Sequence, residues 1–393
     1  MNSETLDKKI LANSGSSSME LEIEHTEGSF LFDTNGKKYI DFLMGWCVGN
    51  LGWANENIKQ TIQNYKGPDY IYPGFTYEPW LELAELLASI APGKLQASYR
   101  TTGGTESVET AMQIAMRYTG RKKFISIEGS YHGNSIGTLS IGSSENRDIF
   151  KNLLPNCLKI ERPLDEKAVR KIETRLKKKD VAAFIMEPVI CNQGVYIPTK
   201  AFMQRVQELC AYYGTLFVMD EVACGFGRTG KLFASEHFEI EPDVLCLSKA
   251  ISGGYAPLGA TMTTEKIAKK VKEDVSIYST YGWHPLSVQV ALANVQYFIK
   301  YENELLEHVN RLSNLFKTKL QEMAFKYDTQ LNVKGLAIGI NVNKAAYAKK
   351  IQKECLEKGL ILTAQEEHLV LFPALTIKKE EALKGLEILE ACV

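Results

Sequence analysis

Residues 244–254, VLCLSKAISGG, carry the reading that decides the fold. Four apolar residues give the pattern of a short buried strand, Ser248 ends it, and Lys249 follows just before a glycine pair. A lysine at a strand end is, taken singly, an ordinary surface residue. Upstream, residues 215–222, TLFVMDEV, make a second apolar strand that ends on Asp220-Glu221. In open α/β sheets ligands sit outside the carboxyl ends of the strands, so Asp220 and Lys249 are expected to face one crevice. Strands are expected at 123–127, 181–186, 215–219 and 243–247, with helices at 79–90, 105–118 and 200–213. Strands alternating with helices imply an α/β domain with a mostly parallel sheet.

The flanks read differently. Residues 28–41, GSFLFDTNGKKYID, alternate apolar and polar around Asn35-Gly36, which predicts a β-hairpin with a type I′ turn. After Pro285 a helical pattern runs to about 325, then a strand near 333–340, a helix near 344–358, a strand near 368–372 and a last helix. This is a separate, smaller α+β unit.

Composition narrows the classes. The 393 residues are 45% hydrophobic and 24% charged, ordinary for a folded protein of two or three domains. A net charge of −1 gives no reason to expect a nucleic-acid partner or an anionic membrane. No apolar run approaches the roughly 20 residues that span a bilayer. Residues 1–18, MNSETLDKKILANSGSSS, lack the apolar core of a secretory signal and read as a polar lead-in. The eight cysteines form no CxxC pair, so no metal site or disulfide framework is indicated and a cytoplasmic location is expected.

Lysine and aspartate in one crevice are what pyridoxal 5′-phosphate (PLP) chemistry requires. The amine forms a Schiff base, and a carboxylate opposite the pyridine nitrogen keeps that ring able to take up carbanion electrons. A cofactor phosphate needs backbone donors, and residues 101–118, TTGGTESVETAMQIAMRY, place Gly103, Gly104 and Thr105 at the start of an amphipathic helix. Residues 126–134, SIEGSYHGN, run from a strand into a loop where the Tyr131 ring is placed to stack on a flat cofactor. His132 beside it reads as an ordinary hydrogen-bonded core histidine. Residues 225–230, GFGRTG, spell GxGxxG and raise the rival class of nicotinamide oxidoreductase. That fingerprint needs glycines at the strand end and a helix behind them. Here Asp220-Glu221 occupies the strand end and KLFASEHFEIEP follows, so the dinucleotide reading is set aside.

Together these segments resemble the class III (ornithine/ω-amino acid) aminotransferases of PLP fold type I. The resemblance runs from GSFLFDTNGKKYIDF through residues 220–260 to GLILTAQEEHLVLFPALTI. It implies a large PLP-binding domain over 49–285 with a mostly parallel central sheet. A smaller α+β domain is then built from both chain ends, 1–48 and 286–393. It also implies a homodimer with shared active sites. Lys249 corresponds to the Schiff-base lysine and Asp220 to the partner of the pyridinium nitrogen. Gly104 and Thr105 correspond to the phosphate loop, Tyr131 to the stacking ring and Val222 to the apolar residue beneath it. Thr280, in STYGWHP, matches a threonine that reaches the partner's cofactor phosphate. Trp46, in MGWCVGN, and Glu187, in FIMEPV, match residues on the substrate side.

Two departures bear on the substrate. The arginine with which many members hold a substrate carboxylate falls at Val370 or at Thr363 here, and neither is arginine. Glu187 is thereby left without its counterpart, either to bind a distal amine or to stay protonated. Trp53 stands where histidine is usual and Trp283 where glycine is usual, which with Trp46 suggests a narrowed, more apolar pocket. The expected reaction moves an amino group from a primary amine or ω-amino acid to a 2-oxo acid with ping-pong kinetics. A class III racemase or aminomutase using the same lysine is the alternative.

Overall fold

The computed structural model describes residues 21–273 and 276–393; the lead-in at 1–18 lies outside them. At the centre is a seven-stranded sheet. Its spatial order is Leu95–Thr101, Gly259–Thr264, Val244–Leu247, Leu216–Asp220, Val181–Met186, Lys123–Ile127 and Cys157–Ile160. Only Gly259–Thr264 runs antiparallel to its neighbours. The strands from 181 and from 216 are buried at every position, which is why they read as continuous apolar runs. Helices cover both faces, among them Gly104–Thr119, Lys200–Tyr213 and Glu166–Leu176. Glu166–Leu176 begins at Asp165, whose carboxylate accepts from the amides of Lys167 and Ala168.

Both chain ends form the flanking layers. Ile23–Glu27, Phe30–Asp33 and Lys38–Asp41 join Leu360–Ile361 in one sheet, the last pair parallel. Gln330–Lys334, Ala337–Asn341, His368–Leu371 and Thr363–Gln365 make another. The hairpin at 30–41 forms, but its turn is not type I′: only Gly36 has positive φ (+79°), and Asn35 does not. Gly36 donates its amide to the Asp33 carbonyl and the Asp33 carboxylate accepts from Asn35 and Lys37, closing a three-residue loop. The strand expected near 333–340 is two antiparallel strands joined by a two-residue turn that Gly335 opens. The helical run after Pro285 breaks at Tyr301 into Pro285–Lys300 and Glu302–Glu322.

The GFGRTG segment opens no helix; it is a clamp. Arg228 is fully buried, and its Nη1 donates to the carbonyls of Leu336 and Pro373 at 3.0 and 2.6 Å. Its Nη2 donates to Asn50 Oδ1 at 2.6 Å, and Asn50 in turn donates to the Phe226 carbonyl. One guanidinium fork thus ties the loop after the strand Leu216–Asp220 to Asn50 and to two carbonyls of the C-terminal segment. Arg228→Ala strands three buried acceptors and should cost roughly 3–5 kcal/mol of stability. Arg228→Lys should recover only part of it, because an ammonium cannot span the fork. The urea midpoints of the two variants measure this.

Candidate active site

Five loops that leave the carboxyl ends of the central strands converge on one cavity, the crevice geometry of open α/β sheets. Of the site residues picked out from sequence, all but Thr280 line it: Trp46, Gly104, Thr105, Tyr131, Glu187, Asp220, Val222 and Lys249. Thr280 is solvent-exposed in the single chain.

Lys249 follows Val244–Leu247 through the extended Ser248 and itself has φ of +47°, a left-handed conformation that a lysine adopts only under constraint. The constraint comes from both sides: Ser248 Oγ donates to the Leu258 carbonyl, and Asn294 Nδ2 donates to the carbonyls of Ala250 and Ile251. Among the described residues the Lys249 amine has no hydrogen-bond or ion-pair partner, so it is free to react.

Asp220 ends its strand with only 3% exposure. One carboxylate oxygen accepts from the Val222 amide at 3.1 Å and the other meets His132 Nδ1 at 2.7 Å. His132 is therefore a hydrogen-bonded buried histidine as expected, but its partner is the site aspartate, a link the sequence gives no means of seeing. The next residue, Glu221, faces the other way. It accepts from the amides of Ala234 and Ser235 and from Ser235 Oγ, while burial pushes its carboxyl up to about 7. Its work is to cap the 3-10 turn Ala234–Phe238.

Gly104–Thr119 starts at the cavity with no side-chain cap on Gly103, so its first amides are open to a ligand. A Cβ on Gly104 would stand 2.9 Å from Val222 Cγ1 and 3.6 Å from Ser248 Cβ. Only glycine lets this helix end approach the strands that carry Asp220 and Lys249. Tyr131, 52% exposed, borders the opening.

Trp46 reaches the cavity from the N-terminal layer. Met44, Gly45, Trp46 and Cys47 all have positive φ, a left-handed turn that L-residues avoid at roughly 1–2 kcal/mol each. Asp41 offsets this by accepting from the amides of Leu43 and Met44 and from Trp53 Nε1. Trp53 and Trp283 do not line the cavity. Trp53 packs over Gly45, Gly49 and Gly254. Trp283 is 1% exposed, donates to the Gly259 carbonyl and accepts from Trp80 Nε1. The narrowing expected of three tryptophans rests on Trp46 alone. Thr363 and Val370, the two positions without arginine, are paired across adjacent strands and both are buried.

The family model described as Aminotransferase class-III matches residues 11–393. The chain belongs to this family. It is 34% identical to an acetylornithine aminotransferase of Archaeoglobus fulgidus, over 93% of this chain and 94% of that one. It is 33% identical to a putrescine aminotransferase of Pectobacterium atrosepticum, over 91% and 79%. It is also 30% identical to an adenosylmethionine-8-amino-7-oxononanoate aminotransferase of Staphylococcus aureus, over 94% and 91%. A transaminase structure from the marine bacterium Virgibacillus superposes with a TM-score of 0.90 at 27% identity, covering 99% of this chain and 97% of that one. The chain is thus a PLP-dependent aminotransferase with the α/β fold of its class.

The residues fit that cofactor. An unpartnered amine, a carboxylate fixed from two sides and an uncapped helix N-terminus surround one crevice. These are the groups a pyridine aldehyde with a phosphate tail calls for.

Proposed function

We propose that Lys249 is the covalent anchor and proton carrier of this transaminase, with Asp220 as the charge opposite it. The observation that carries the reading is the convergence of the free Lys249 amine, the Asp220–His132 pair and the open start of Gly104–Thr119. The chemistry that bound PLP supplies is an electron sink for the carbon that bears the donor's amine. The other steps belong to the chain. The amides of Gly104 and Thr105 would hold the phosphate, Tyr131 and Val222 would flank the ring, and Asp220 would keep a proton on the ring nitrogen. Lys249 Nζ, once the donor's nitrogen had taken its place, would remove the proton from the amine-bearing carbon and hold it for return to the carbon on the far side of that nitrogen.

The donor is a primary amine or ω-amino acid and the acceptor a 2-oxo acid. An amine without any oxo acid should convert the bound cofactor once, stoichiometrically. Turnover should then require pyruvate or 2-oxoglutarate, with parallel double-reciprocal plots. Continued change of substrate without an acceptor would overturn this reading in favour of a racemase or mutase.

A homodimer is the second part of the proposal. Thr280 is exposed beside Tyr278 and Tyr281, and the Tyr281 ring lies 6.1 Å from that of Tyr70, with Tyr72 and Phe75 also exposed. An aromatic patch of this kind supports association, and it carries the threonine assigned to the partner's site. Sedimentation as a monomer would overturn it. The cytoplasm is the proposed location: all eight cysteines carry free thiols, seven of them buried, which suits a reducing compartment. Cell fractionation tests it.

A further inference from the structure

We infer that Glu187 and Asn192 form a cation subsite that selects amine donors carrying a second ammonium group, so that short aliphatic diamines are preferred over monoamines. The inference rests on the reading of the cavity as the transaminase site.

Two buried acceptors without donors stand in the wall of this one cavity. Glu187 is 4% exposed; its Oε2 receives a single 3.3 Å bond from the Cys191 amide, and its Oε1 has no partner among the described residues. Asn192 donates its amide to the Gly129 carbonyl at 2.9 Å, and its buried Oδ1 accepts from no donor among the described residues. Buried acceptors are ordinarily satisfied, and an unsatisfied pair facing a ligand cavity asks for a ligand rich in donors. An ammonium offers three donors and a positive charge.

The rest of the wall agrees. Among the described residues Lys249 is the one lysine or arginine that lines the cavity, and it is committed to the reacting nitrogen. Arg228 turns away to the carbonyls of Leu336 and Pro373 and to Asn50. A second carboxylate on a donor that reached Glu187 would therefore meet no uncommitted cation in the cavity wall among the described residues, whereas an ammonium would be paired. Burial, reinforced by the negative charge of Asp220, holds the Glu187 carboxyl well above the usual carboxylate range, and a cation beside it would draw it back down. Trp46, held against Phe372 at 5.3 Å between ring centres, gives the methylene chain an apolar wall.

Two measurements on the holoenzyme test this. In the first, kcat/KM for 1,4-diaminobutane should exceed that for 1-aminobutane by about tenfold or more with a common 2-oxo acid, the scale of one charge-assisted hydrogen bond. In Glu187→Gln that ratio should fall towards one. In the second, N,N,N′,N′-tetramethyl-1,4-diaminobutane, which has no primary amine to react, should bind by calorimetry and bind about tenfold more weakly to Glu187→Gln. Turnover of both amines at similar kcat/KM in the wild type overturns the subsite and leaves the transaminase reading standing. Failure of every amine to convert the cofactor would defeat that reading instead, and the calorimetric arm still decides the subsite: equal affinity of wild type and variant rejects it.

Discussion

Lys249→Ala is expected to lower transamination by roughly 10⁴-fold or more, because one substitution removes both the covalent anchor and the proton carrier. Borohydride should fix the cofactor to the wild-type chain at Lys249, as peptide mapping would show, and should fix none to the variant. On the proposed reading the phosphate is held by backbone amides at the start of Gly104–Thr119, which the substitution leaves in place. The variant should therefore still take up cofactor, reversibly. Labelling of any other lysine in the wild type would sink the assignment.

The competing lysine is Lys159. Burial pushes its amine down to about 8, and a lowered value of this kind often marks a reactive lysine. Geometry decides against it. Lys159 Nζ donates to Ser126 Oγ and to the Ser140 carbonyl at 3.1 and 3.0 Å, on the strand Cys157–Ile160 at the edge of the sheet. Its amine is tied into the fold, while that of Lys249 has no hydrogen-bond partner among the described residues and opens onto the cavity.

The sequence shows its central strands plainly and its outer ones poorly. Val181–Met186 and Leu216–Asp220 are buried on both faces, so both read as unbroken apolar runs. Leu95–Thr101 and Cys157–Ile160 lie at the sheet edges, where exposed positions mix polar residues into the pattern. Gly259–Thr264 is buried yet reads as polar. Its Thr261 and Thr263 hydroxyls donate to the carbonyls of Ser107 and Asp243, and such partners are fixed only by the tertiary fold. The break at Tyr301 has no proline or glycine to announce it.

Site residues divide in the same way. Lys249, Asp220 and the Gly104-Thr105 helix start follow strand ends or open a helix, so local pattern reveals them. Trp46 sits on a left-handed turn held by Asp41, and the Asp220–His132 bond spans 88 residues. No periodicity encodes either. The rival GxGxxG motif fails for a complementary reason: its arginine is occupied in joining Asn50 to the C-terminal segment, a use that a motif alone cannot display.

Asp220→Asn is expected to cost roughly 10²-fold or more in kcat with a smaller change in KM, because a carboxylate becomes a neutral amide where positive charge must be held. Asp220→Glu keeps the charge but moves it by one methylene, so it should retain more activity than Asp220→Asn. That order separates a charge requirement from simple packing. His132 acts through Asp220: its Nδ1 lies 2.7 Å from the carboxylate, and its side chain is fully buried. As a positioning residue it should matter less than the group it positions. His132→Phe should fall between wild type and Asp220→Asn in kcat, whereas His132→Gln, which can still donate, should recover part of the loss. The absorbance of the bound cofactor against pH gives a reading that packing alone does not move. Its transition should shift in Asp220→Asn and, in the same direction but less, in His132→Phe. An unshifted transition in both would mean that the 2.7 Å pair supports the fold and does not tune the ring.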